Sequence, residues 1–415
     1  MSDFQVPRGS TAKLDRIEGE LKVGKGARIE AKNGNLVFVS EDVIFDGAAE
    51  VACNLECDSL RIGHGGVLRI DGDLVVHKLL DVDHSIKAGG MIKAQDIDVG
   101  GRLNAKSLVC SKMRVGGTIE VTDSLEVQTL DVGGKVEAYG TVKIGDFSVG
   151  GEAKIGGGVI SGNIRVGGKF EAHSQLQFGD LQVLGRTELA ANSKGSKISS
   201  FGKLSVIGDI VCDEISIAGA SEIHGNCKSK KISINGSLEI SGSLEITEIL
   251  EVNGSVEVVR DFLGENIRIG GRFRAGKAIV KNDVQVYGIV ETSHGLKGKN
   301  IHVNSGSRVE GILIGGRVEI GKSAFAIADW EKKWMGQTAA FRLIGKQTRV
   351  GDVYADLVHI GNYSRCGRVF AKVVELEDGC VVDEISYTDE LKGVLERSHI
   401  TRFVTKVTSL PNPPI

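Results

Sequence analysis

Thr118-Ile119-Glu120-Val121-Thr122-Asp123-Ser124-Leu125-Glu126-Val127-Gln128-Thr129-Leu130-Asp131-Val132-Gly133-Gly134 is the stretch from which the fold can be read. Three apolar pairs spaced i, i+2 lie in it: Ile119 and Val121, Leu125 and Val127, Leu130 and Val132. Such a pair puts two side chains on one face of a strand and turns the residue between them to the other face. The residues between are Glu120, Glu126 and Asp131, all charged. The run then ends on a double glycine, where the chain can bend sharply.

The pattern recurs in both directions. Corners of the form apolar-Gly-Gly or apolar-Asn-Gly begin at Val99, Val115, Val132, Val149, Val166 and Val183. A second series begins at Ile217, Ile234, Val252, Ile269, Val286, Val303 and Ile320, and nearly every interval is 17 residues. Within each period the apolar pairs advance by 6, 6 and 5, continuing through Val136, Val142, Phe147, Ala153, Val159 and Ile164. Three short strands per repeat predict a triangular parallel β-helix, each strand pairing with its equivalent one coil away. The expectation is an all-β solenoid of about 17-residue coils, on the order of 90–100 Å long at about 4.8 Å per coil.

Composition agrees. Of 415 residues 57 are Gly, only 4 are Pro, and aromatics make up 5%. All four prolines, Pro7, Pro411, Pro413 and Pro414, lie near the termini, outside the region where strands must donate to neighbours. The near-neutral balance of 51 basic and 54 acidic residues lacks the footprint of a nucleic-acid binder. Without an apolar run of about 18 residues or a signal-like start, and with seven irregularly spaced Cys, a cytoplasmic protein is expected.

The periodicity divides the chain into an N-terminal tail (1–19), a β-helix (20–321), an insertion (322–347), a continuation of the β-helix (348–387) and a C-terminal region (388–415). The register is looser between 20 and 60. Helix-like spacing is expected in the insertion. It is also expected from Asp389 to Val407, where Leu391, Val394 and Leu395 would cap the last coil.

Candidate chemistry is sparse. His302 and His359 fall at outward positions between apolar residues and read as surface histidines. Cys53 and Cys57 lack the further ligands of a metal site and read as buried thiols. Gly316-Arg317-Val318-Glu319-Ile320-Gly321-Lys322-Ser323 fits a phosphate-loop pattern. Val318 and Ile320, however, keep the coil register, which predicts strand. No catalytic constellation, metal site or cofactor is expected. The candidate partner contact is Ile327, Trp330 and Trp334 in the insertion, since Trp is enriched at interface hot spots. Phe4 and Val6 offer a weak membrane contact.

The uniform short coils, Gly corners and short Pro-containing tails resemble the bactofilins, a polymer-forming cytoskeletal family. The likeness is clearest over Ile234-Asn235-Gly236-Ser237-Leu238-Glu239-Ile240-Ser241-Gly242-Ser243-Leu244-Glu245-Ile246 and at the corners from Val115 to Val166. The resemblance implies a right-handed helix, no nucleotide cofactor and filaments built by end-to-end contacts. A typical member has a single domain of roughly a hundred residues; this body is about three times longer and carries an insertion the family lacks. The expectation is a non-enzymatic scaffold that polymerises by stacking its terminal coils. The alternative is a β-helical binding rod presenting Trp330 and Trp334 to a protein partner.

Overall fold

The computed structural model describes residues 3–63, 65–322, 347–393 and 397–414. These residues form a parallel β-solenoid of about 22 turns with about 17-residue spacing. The chain divides into two compact units, Met1–Ile207 and Gly208–Ile415. Among the described residues there is no α-helix.

In the first unit the predicted register is seen directly. Ile119 pairs with Val136, Leu125 with Val142 and Leu130 with Phe147, one partner on each side of the triangle. All six side chains are buried, and Glu120, Glu126 and Asp131 between them face outward. Each buried Val, Leu or Ile contributes about 1.5–3 kcal/mol relative to exposure, so this interior column dominates stability. Aromatics fit only where the neighbouring coil makes room, as where Phe147 meets Phe170 edge to face at 5.8 Å.

The corners explain the glycine content. At the second position of each corner a Cβ would lie 1.8 Å (Gly117) or 2.0 Å (Gly134) from the carbonyl oxygen of the glycine one coil before. At the first position the nearest atom is 3.7 Å away for Gly116 and 3.6 Å for Gly133. The first position therefore accepts side chains, and Leu184 and Phe201 occupy it, both exposed. Elsewhere side chains take over the corner: the Asp73 N–H donates to Asn54 Oδ1 at 2.8 Å, and the Met91 N–H to Asp73 Oδ1 at 2.7 Å.

Three expectations in this unit need correction. The coil begins at Phe4, because Phe4–Val6 pairs with Leu21–Val23 and Thr11–Leu14 with Arg28–Ala31, so residues 4–17 are coil and not tail. Val6 is fully buried there and cannot meet a membrane, leaving only Phe4 exposed. Third, Val159 faces solvent. Gly158 stands opposite Val142 and Ile160 opposite Val159's expected neighbour, reached through Gly157 and Gly158 at φ +150 and +133. A slip of one residue turns a side chain to the other face. The loose register near the start also has a cause. Leu21 pairs with Val43 and Leu60 with Leu80, so these coils span 22 and 20 residues.

In the second unit the same rules hold. Ile217, Ile234, Val252, Ile269, Val286, Val303 and Ile320 are all buried, and Phe262 meets Phe273 edge to face at 5.4 Å. The coil resumes beyond the insertion as if uninterrupted: Arg308 pairs with Arg349, Leu313 with Val353 and Ile320 with Ile360. The body of the insertion, 323–346, lies outside the described residues, as do Ile327, Trp330 and Trp334. The C-terminal helix-like reading is overturned. Val381–Gly393, His399–Ile400 and Val404–Lys406 are strands, and Leu391 stands opposite Val374 in coil register. The spacing of Leu391, Val394 and Leu395 looked helical only because a coil boundary interrupts the period-2 alternation there.

Candidate functional site

The two coil ends carry the arrangement with the clearest chemical consequence. Phe4 occupies the inward register, opposite the fully buried Leu21, yet 41% of it is exposed. Val404 occupies the inward register opposite the fully buried Ile385 and is 38% exposed. Interior side chains become accessible at these places because no coil lies beyond them. The backbone is open in the same way. Among the described residues, Phe4–Val6, Thr11–Leu14 and Arg16–Ile17 each pair on one side only. His399–Ile400 and Val404–Lys406 likewise pair only with the preceding strand. An unpaired strand edge with apolar side chains in register is a template for another chain.

The histidines form a second, unexpected arrangement. Successive coils place Glu251, Arg268, Gln285, His302, Glu319, His359 and Glu375 at equivalent outward positions. Arg268 Nε donates to Gln285 Oε1 at 3.1 Å, and His302 Nδ1 lies 3.0 Å from Glu319 Oε2. Glu319, only 4% exposed, is also held by Arg317, whose Nε donates to Oε1 at 2.8 Å. His359 lies between Glu375, at 3.4 Å, and Glu377, at 3.0 Å. These histidines are therefore half-buried and ion-paired rather than free surface groups. A buried carboxylate needs such partners. The coil spacing carried this signal, since 302 and 319 are one period apart.

The phosphate-loop match resolves as strand. Leu313–Lys322 pairs with Leu296–Asn304 on one side and Val353–Ile360 on the other, and Val318 and Ile320 are fully buried. A segment in a ladder on both sides has no free run of amides to wrap a phosphate. Ser323 lies outside the described residues.

All seven cysteines are free and buried, Cys53 and Cys57 among them. Burial pushes the Cys110 thiol up to about 12 and raises Cys57 and Cys227 as well. Native protein is expected to react with a thiol reagent at pH 8 at least 100-fold more slowly than unfolded protein. Rapid labelling of even one cysteine in the native state would contradict this burial.

Among the described residues no group of three or more His, Cys, Asp or Glu is placed to hold a metal ion. The surface has only shallow grooves, such as one of about 310 Å³ beside Arg165, Asp180, Gln182, Lys197 and Phe201. In comparisons with protein-family models, curated proteins and solved structures, nothing matched this chain.

Proposed function

We propose that this protein is a structural scaffold that self-assembles by stacking its terminal coils. One observation carries the reading: side chains in the interior register, Phe4 at one end and Val404 at the other, stand exposed beside unpaired strand edges. A further coil laid on either end would bury these side chains and satisfy backbone N–H and C=O groups together. The strand character of residues 399–406 supports it, since a helix across that end would have blocked the edge. The chemistry of such a contact is that of β-augmentation, in which main-chain hydrogen bonds give affinity and side-chain register gives specificity.

A charge in the interior register should abolish the contact while leaving the coils behind it intact. Phe4→Asp and Val404→Asp are each expected to lower the pelletable fraction at least 10-fold at a protein concentration where the unaltered chain sediments. Unchanged sedimentation of both variants would refute end stacking. The tryptophan-presenting alternative rests on residues outside those described, and no structural observation favours it.

A further inference from the structure

The second unit carries a face whose charges are sorted along the coil axis. Its first three coils place Glu222, Glu239 and Glu257 at one outward position. Two residues before each of them stand Ala220, Ser237 and Ser255. The next coil carries Arg272 and Arg274, and the one after it Ile289 and Glu291. The following three coils place Arg308, Arg349 and Arg365 in line at the first of these outward positions. Beside Arg349 and Arg365, two residues on, come Gly351 and Gly367.

Read coil by coil, the charge runs acidic three times, basic, acidic, then basic three times. Like charges directly opposite one another in a sheet are destabilising, so each run costs stability in an isolated copy. The centre of the string compensates itself: Arg274 bonds both Glu291, at 2.8 Å, and Glu257, at 3.2 Å, and Arg272 bonds Glu291 at 2.8 Å. The outer members do not. Among the described residues Glu239, Arg349 and Arg365 have no ion-pair partner.

The string is its own complement when reversed. We propose that two copies pair laterally and antiparallel through this face, about a two-fold axis between the Arg274 and Glu291 coils. That axis sets the Glu222 coil against the Arg365 coil of the second copy, Glu239 against Arg349, Glu257 against Arg308 and Arg274 against Glu291. The sizes match as well. Such an axis keeps each column facing its own kind, so the long Arg349 and Arg365 meet Ser237 and Ala220. Glu239 and Glu222 correspondingly meet Gly351 and Gly367. Parallel, in-register pairing would set glutamate coils against glutamate coils and arginine coils against arginine coils. The contact is isologous, as a two-fold dimer requires. It is separate from end stacking, and either contact can exist without the other.

Cysteine pairing in the full-length chain tests the geometry. Ser237 and Arg349 lie five coils apart in one copy, about 24 Å, too far for a disulfide within the chain. In the proposed pair Ser237 of one copy faces Arg349 of the other. Under mild oxidation the double variant Ser237→Cys/Arg349→Cys is expected to form covalent dimers at least 10-fold faster than either single variant. Because the native cysteines are all buried, the background is low. In sedimentation velocity, Glu239→Arg and Arg349→Glu should each weaken dimerisation at least 10-fold, with the combined swap restoring it. Raised salt should weaken the unaltered dimer. Cross-linking no faster than the single variants, or a swap that does not restore association, overturns the proposal.

Discussion

Gly117→Ala is expected to destabilise the first unit by about 3–5 kcal/mol, whereas Gly116→Ala, one residue earlier, should change stability by less than about 1 kcal/mol. The two substitutions add the same methyl group to the same corner. At Gly117 that carbon would lie 1.8 Å from the Gly101 carbonyl oxygen and 2.7 Å from its carbon. Both are backbone atoms, and Gly101 is itself held in the ladder, its carbonyl accepting from the Thr118 N–H at 2.8 Å. No rotamer change can relieve the overlap, so the coils must separate locally. At Gly116 the nearest atom is 3.7 Å away, and Leu184 and Phe201 already show that this position accepts large side chains. Thermal unfolding followed by circular dichroism should show a fall of about 10 °C or more for the first variant and little change for the second. Equal effects would mean that the corner does not approach as closely as described.

Phe170→Ala is expected to cost about 3–5 kcal/mol, the loss of a buried aromatic plus the cavity it leaves. Phe170 is fully buried and meets Phe147 at 5.8 Å with ring planes 82° apart. The narrow interior cannot collapse around the gap, because hydrogen bonds to the coils on both sides fix the spacing. A double-mutant cycle with Phe147→Ala should give a coupling of about 0.5–1.5 kcal/mol, the excess expected for an edge-to-face pair. Phe201→Ala is the control. Its ring stands outside the solenoid at a corner, and its removal should leave stability within about 0.5 kcal/mol. Chemical denaturation of the three single variants measures these differences, and a Phe170→Ala variant as stable as Phe201→Ala would contradict the packing.

Most of the fold was legible because the same three-strand coil repeats with few exceptions. Ile119, Leu125 and Leu130 predict their own neighbours 17 residues on, and the structure places those neighbours beside them. Legibility failed where local geometry altered the count. At Val159 two glycines shift the chain by one residue, which a hydrophobicity pattern cannot register because the glycines add no side chain to read. At 389–407 a coil boundary mimicked helical spacing. At the first coil the 22-residue step from Leu21 to Val43 hid the period, so residues 4–17 read as a tail. The candidate sites were less legible than the fold. The pairing of His302 with Glu319, and the reversal of charge from Glu239 to Arg349, emerge only when residues one coil apart are set side by side. Salt bridges of this exposed kind contribute about 0–1 kcal/mol each, so their weight is in register and partner choice rather than in stability.

The central claim is that the exposed interior register at Phe4 and Val404 templates another copy. Negative-stain electron microscopy of the purified full-length protein across a dilution series tests it most directly. Filaments that lengthen with concentration and vanish in Val404→Asp are the predicted result. Discrete particles at every concentration, identical in the unaltered chain and the variant, would contradict it.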